Sequence, residues 1–305
     1  MTVAAEQASF AVEITEDPAA FLDSAGEHLA LAPVLTTVVS SVTHRAMRRR
    51  EAGAAAPAHP CWWAVVRDGE GGVAGAAMRT APMAPHPLFV LPMAEDAARA
   101  LAGALLERGE DVAGVNGALP AARVVADEVA RTSGRTARVH EHTRLFELGE
   151  LVEPAPVPGR LRLAAPDDAA LVLRWVRAFG VDAAEQAGRA GEAHEPEHLT
   201  PEDMAERIAE ERVLLWEDEQ GRVVHLTGHN LPSFGVARIG PVYTPREHRG
   251  RGYASAAVAA VSRRLLDKGA RVCLFTDQAN PTSNRIYEAL GFRPVVDMAN
   301  LIVDG

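Results

Sequence analysis

The chain has 305 residues, room for two domains, and its 48% hydrophobic and 24% charged content is that of an ordinary globular protein. A net charge of −10 is the reverse of what a nucleic-acid binder carries. No run of about 18 apolar residues is present, so no membrane span is expected. Met1 to Ile14 lacks a basic segment followed by an apolar run, which speaks against a secretory leader. Cys61 and Cys273 lie far apart in apolar runs and read as buried reduced thiols, with no metal site, in a cytoplasmic protein.

In chain order, Arg48-Arg49-Arg50 reads as a helix end, where cations suit the dipole. Strands over 62–66 and 73–79 flank the turn Asp68-Gly69-Glu70-Gly71-Gly72. A strand over 88–91, a helix over 94–108, a strand over 111–115, a helix over 121–132 and a strand over 138–148 follow. Then Pro154, Pro156 and Pro158, at alternate positions, mark an extended connector. The expected division is a first domain over 1–150, a proline-rich linker over 151–160 and a second domain over 161–305.

The second half opens at Pro166-Asp167-Asp168, with Leu171, Val172, Trp175, Val176 and Phe179 at helical spacing. Residues 187–199 read as a loop. Thr200 as N-cap, Pro201 at the first helical position and Asp203 in the capping-box place open a second helix. Strands over 213–217 and 222–229 form a hairpin about Asp218-Glu219-Gln220-Gly221. A strand over 236–243, a Gly-rich turn, a helix to Lys268, a strand over 272–276, a helix over 281–290 and a strand over 294–298 complete the chain. This order repeats, in clearer form, that of the first half. The pattern is α/β (α+β), two copies of one fold with an intact ligand loop only in the second.

That loop is Pro245-Arg246-Glu247-His248-Arg249-Gly250-Arg251-Gly252-Tyr253-Ala254. Gly250 and Gly252 let the backbone turn tightly, and the helix that starts near Tyr253 points unpartnered N–H groups into the turn. Such an end suits a phosphate, and Arg249 and Arg251 add charge-assisted contacts. The turn fits neither the Walker A nor the dinucleotide-binding pattern. Downstream, Asn280 fits an N-cap before Pro281, and Asn280, Asn284 and Tyr287 project along one edge of a helix that Gly291 stops.

Residues 238–295 resemble the cofactor half of the GCN5-related N-acetyltransferase superfamily. The resemblance rests on Arg249-x-x-Gly252-x-Ala254 and on Asn280, Tyr287 and Gly291-Phe292. The finer run Val242-Tyr243-Thr244-Pro245 resembles a bacterial subgroup of acetyltransferases in which a degenerate N-terminal copy precedes the active domain. The resemblance implies two tandem domains, each a mixed, mostly antiparallel sheet flanked by helices. It implies acetyl-CoA as cofactor, with Arg249, Gly250, Arg251, Gly252, Tyr253 and Ala254 holding the diphosphate. Val242, Tyr243 and Thr244 would pair with the pantetheine arm, which Asn280 and Asn284 would contact from the other side. Tyr287 would protonate the leaving thiolate. The first half passes through Pro92-Met93-Ala94 in place of such a loop and is not expected to bind the coenzyme.

Acyl transfer to an amine also needs a base and an oxyanion donor. The donor is expected as a backbone N–H near 239–242, and removing such a donor costs about 10²–10³ in rate. Glu217, His225 and His229 are the base candidates, beside deprotonation through water; alternation puts the two histidines on one face. The expected acceptor is the amine of a small molecule or peptide, and the acidic balance favours a cationic one. A homodimer is a further expectation. A non-catalytic acyl-CoA sensor on the same fold stays open, though a pure binder has no need of Tyr287.

Overall fold

Ten elements fill the first 148 residues: β1 (Ala11–Thr15), α1 (Pro18–Leu31), α2 (Thr37–Glu51), β2 (Trp62–Arg67), β3 (Val73–Arg79), β4 (Leu88–Val90), α3 (Glu95–Glu107), β5 (Gly114–Ala118), α4 (Ala121–Ser133) and β6 (Thr136–Leu148). Then come β7 (Arg160–Leu163), α5 (Ala169–Gln186), α6 (Pro201–Ala209), β8 (Val213–Glu217), β9 (Val223–His229), β10 (Val236–Tyr243), α7 (Tyr253–Asp267), β11 (Arg271–Asp277), α8 (Pro281–Ala289) and β12 (Phe292–Asp304). The structure, a computed structural model, describes residues 9–186, 188–189 and 199–305. Most of the loop expected over 187–199 lies outside the described residues. No described helix is long and apolar enough to cross a membrane.

Local signals explain several boundaries. The Asp17 carboxylate accepts from the Ala19 N–H (2.9 Å) ahead of Pro18 and starts α1. Thr200 and Asp203 form the reciprocal capping box of α6. Gly134, in the left-handed region at φ 68°, ends α4.

The chain divides into two compact units. The first holds Met1–Thr143 together with Val296–Gly305; the second is Arg144–Val295. The last ten residues therefore differ from the expected division, which ran the second domain to 305. Sheet register is the reason. Met298 to Ile302 of β12 pair antiparallel with Ala118 to Gly114 of β5, and Ala299, Leu301 and Val303 are buried in the first unit's core. The strand expected over 294–298 continues because its alternation of buried and half-buried residues continues to Val303.

In the first unit the strands run β1-β2-β3-β4-β5-β12, followed by the start of β6. The pairs β1–β2, β2–β3, β3–β4 and β5–β12 are antiparallel and β4–β5 is parallel. Leu101 and Leu105 of α3 and Val125 and Val129 of α4 pack on Ala64, Val66, Val90 and Val115.

In the second unit the order is β11-β10-β9-β8-β7, with the end of β6 beside β11. Here β10–β11 is parallel, while β9–β10, β8–β9 and β7–β8 are antiparallel. Neighbouring residues of β8 feed different cores. Leu214 joins Val258, Val261 and Leu265 of α7, whereas Val213 and Leu215 join Val172 and Val176 of α5 and Met204 and Ile208 of α6. Full burial of each such aliphatic side chain stabilises the fold by about 1.5–3 kcal/mol.

Candidate functional site

The site is built where two parallel strands part. β10 and β11 keep register from Val236 opposite Arg271 to Ile239 opposite Leu274. Beyond Ile239, β10 bulges against β9 and continues to Tyr243, its last pairs being Val242 with Thr227 and Tyr243 with Leu226. The other edge of that segment is released from the β11 register. Pro241 brings no N–H, which leaves Gly240 and Val242 as backbone donors in this stretch.

After Tyr243 the chain makes a 3-10 turn over Arg246–His248 and enters α7 through two glycines. Gly250 (φ 75°) and Gly252 (φ 81°) both lie in the left-handed region. Among the described residues a side chain at Gly250 would meet nothing within 4 Å, whereas one at Gly252 would meet the Val157 methyl at 2.9 Å. Among the described residues no side chain caps α7, so its first-turn N–H groups have no capping acceptor there. An open glycine, an uncapped helix start and the exposed Arg251 fit a diphosphate. Tyr253 is turned away from this cradle: it is buried and packs with Trp216 and Val224. Ala254 is half-buried on the next position of α7.

Arg249 reaches the cradle already tied. Its Nε donates to the Thr244 carbonyl (2.9 Å) and its second guanidinium nitrogen to Asp182 of α5 (2.6 Å). Asp182 also accepts from the Tyr243 hydroxyl (3.0 Å) and from Arg246 (3.0 Å), and Arg246 pairs with Glu185 as well. The Tyr243 ring meets Trp175 edge-on, 6.0 Å between centroids. Burial, together with Asp182, pushes the Tyr243 phenol up to about 12. Asp182 was not among the expected site residues. The signal was present: it extends the spacing of Val172, Trp175, Val176 and Phe179, an acid on an apolar stripe.

The helix α8 brings up the other side. Asn280 caps it, its side-chain oxygen accepting from the Ser283 N–H (3.1 Å) and its amide donating to Gln186 (3.3 Å). Asn284 accepts from the Thr276 hydroxyl (2.5 Å) and donates to the Gln278 carbonyl (3.2 Å). Both asparagines thus order the β11–α8 corner. Tyr287 is buried in the same cluster as Ile239, Leu274 and Val242, with its ring edge-on to Phe292 at 5.9 Å. Its hydroxyl has no hydrogen-bond partner among the described residues. Burial raises its pKa well above the usual tyrosine range, so the phenol stays protonated.

None of the three expected base candidates is left free. His225 is fully buried, and its ring nitrogens lie 2.7 Å from Thr244 Oγ1 and 2.7 Å from Thr227 Oγ1. The His229 ring bonds the Asn230 carbonyl (3.0 Å) and the Glu211 backbone, and burial lowers its pKa. Glu217 pairs with Arg162 (2.5 Å) and Arg160 (2.9 Å), which hold its carboxyl below the usual range. It also stands on β8, with β9 between it and β10.

Residues 220–300 match the family model described as FR47-like protein. No curated protein sequence matches the chain. Among solved structures, a GCN5-related N-acetyltransferase from Sphaerobacter thermophilus is 16% identical, covers 96% of this chain and 94% of its own, and superposes with a TM-score of 0.56. A tandem GNAT protein from the clavulanic acid biosynthesis pathway is 17% identical, with 97% and 99% covered and a TM-score of 0.55. A GNAT-family acetyltransferase from Colwellia psychrerythraea is 9% identical, with 97% and 100% covered and a TM-score of 0.55. The fold is that of the GCN5-related N-acetyltransferases.

Within this acetyltransferase fold the two units treat their parallel pairs differently. In the first, all of β4 stays paired: Leu88, Phe89 and Val90 face Val115, Asn116 and Gly117. Gly117 (φ 145°) lies so close to Val90 that a Cβ there would run into the Val90 carbonyl. In the second, β10 parts from β11, and Asp182 gathers the residues at the end of β10. Asp182→Ala is expected to cost about 1–3 kcal/mol of stability, less than a fully buried pair because Arg246 and Arg249 keep access to water. Urea denaturation checks this.

Proposed function

We propose that this chain is an acetyl-CoA-dependent N-acetyltransferase. It moves an acetyl group to a primary amine of a small molecule or peptide by direct attack. The observation that carries the proposal is the parting of β10 from β11 after Ile239 and Leu274, with the glycine cradle of α7 at one end and the protonated Tyr287 in the cluster at the parting point.

Gly250, Arg251, Gly252 and the α7 N-terminus would hold the diphosphate, with Arg249 held beside them by Asp182. The freed edge over Val242, Tyr243 and Thr244 would hydrogen-bond the pantetheine arm. When bound, the coenzyme supplies an acyl group already activated as a thioester. The Gly240 or Val242 N–H would donate a hydrogen bond to the thioester oxygen, and Tyr287 would give its proton to the coenzyme sulfur. The amine proton leaves through water, because Glu217, His225 and His229 are each engaged by other groups. Asn280 and Asn284 act on the coenzyme through the corner they order. The first unit holds no coenzyme of its own, since its corresponding strands stay paired.

Thiol release from acetyl-CoA over a panel of primary amines tests the proposal. Amine-dependent release is expected. Uptake of acetyl-CoA with no release for any amine would favour an acyl-CoA sensor instead.

A further inference from the structure

Thr227, His225 and Thr244 form a short relay across β9 and the end of β10. His225 Nε2 lies 2.7 Å from Thr227 Oγ1, and Nδ1 lies 2.7 Å from Thr244 Oγ1. His225 and Thr227 are fully buried, whereas Thr244 is half-buried beside the glycine turn. Its carbonyl receives the Nε–H of Arg249 at 2.9 Å.

A neutral imidazole has one N–H and one bare nitrogen. Burial keeps this ring neutral by pushing its pKa down to about 3. One threonine must therefore donate to the ring and the other must accept from it. Thr227 decides the direction. The ring is the only hydrogen-bond partner of its hydroxyl among the described residues. A buried O–H with nothing to donate to is costly, so Thr227 donates to Nε2. The ring proton then sits on Nδ1 and is donated to Thr244 Oγ1. That leaves the Thr244 hydroxyl with its own proton to give outward, at the exposed end of the relay.

We propose that Thr244 Oγ1 is a pre-set hydrogen-bond donor to an acceptor oxygen of the bound coenzyme, with Thr227 and His225 as positioning residues that fix its direction. This rests on the acyl-CoA reading of the same strand. Phosphate and amide-carbonyl oxygens are the acceptors of that class. A donor aligned before binding loses no orientational freedom when the ligand arrives.

Two measurements on the full chain test it. Nitrogen-15 correlation spectra of the histidine rings should show His225 protonated at Nδ1; protonation at Nε2 overturns the relay. Calorimetry with CoA should show Thr244→Val binding about fivefold to tenfold more weakly, the scale of one hydrogen bond, with Thr244→Ser restoring affinity to within about twofold. Thr227→Val, which cannot reach the ligand, should weaken binding by a smaller factor and change the His225 ring signals. Equal affinity of wild type and Thr244→Val overturns the proposal. A Thr244→Val penalty seen with 3′-phospho-ADP as well as CoA assigns the acceptor to a phosphate; one seen with CoA alone assigns it to an amide carbonyl. Folded wild type that takes up no CoA, with an Nδ1-protonated ring, defeats the acyl-CoA reading and leaves the relay standing.

Discussion

Replacing Tyr287 by phenylalanine is expected to lower kcat for acetyl transfer about 10²- to 10⁴-fold, the range for removal of a general acid. The affinity for acetyl-CoA and the melting temperature should hardly change. Tyr287 is buried among Ile239, Leu274 and Leu290 and stacks edge-on with Phe292, and phenylalanine fills the same space. Its hydroxyl bonds to no described residue, so folding loses no contact when it goes. What goes is the one side-chain proton donor among the described residues of that cluster. Burial raises the phenol's pKa, so the group remains protonated throughout the neutral range and can give a hydrogen bond to a departing thiolate. Steady-state kinetics beside thermal unfolding separate the two effects. Unchanged kcat in a folded Tyr287→Phe variant would remove the residue from the chemistry.

Gly291→Ala is expected to destabilise the second unit by about 3 kcal/mol or more, and activity should fall with the folded fraction. Gly291 follows α8 at φ 97°, where L side chains are strained, and a Cβ there would run into the Glu150 carbonyl. The approach is close because two hydrogen bonds clamp it. The Gly149 N–H donates to the Gly291 carbonyl (3.1 Å) and the Val152 N–H to the Leu290 carbonyl (3.0 Å). An added methyl must break that clamp and shift the end of the helix that carries Tyr287. A free energy of unfolding in urea for Gly291→Ala within about 1 kcal/mol of wild type would contradict this packing.

Elements with their own local chemistry were legible in the sequence. Strands 73–79, 213–217 and 236–243 fall where alternation and flanking turns put them, and α6 and α8 begin at the caps read from Thr200 and Asn280. Less legible were features set by distant partners. The short β7 lies directly after the proline-rich segment, where nothing local distinguishes Arg160–Leu163 from a linker; pairing with β8 makes it a strand. The last ten residues follow β5 of the first unit, a choice made by cross-strand register and not by chain proximity. At the candidate site, the conformation of the glycine turn and the place of Tyr287 on α8 were readable because backbone conformation and helical spacing leave sequence marks. The engagement of Arg249 by Asp182, 67 residues earlier, leaves only a faint one. His225 illustrates the same limit: alternation gave its face, but only the structure gave it two threonine partners.

Titration calorimetry of the full chain with acetyl-CoA tests the coenzyme site most directly. Saturable uptake of one equivalent, lost or strongly weakened when Gly252→Val fills the cradle beside Val157, is the predicted result. No heat from folded wild-type protein, or uptake indifferent to Gly252→Val, would contradict a diphosphate held at the start of α7.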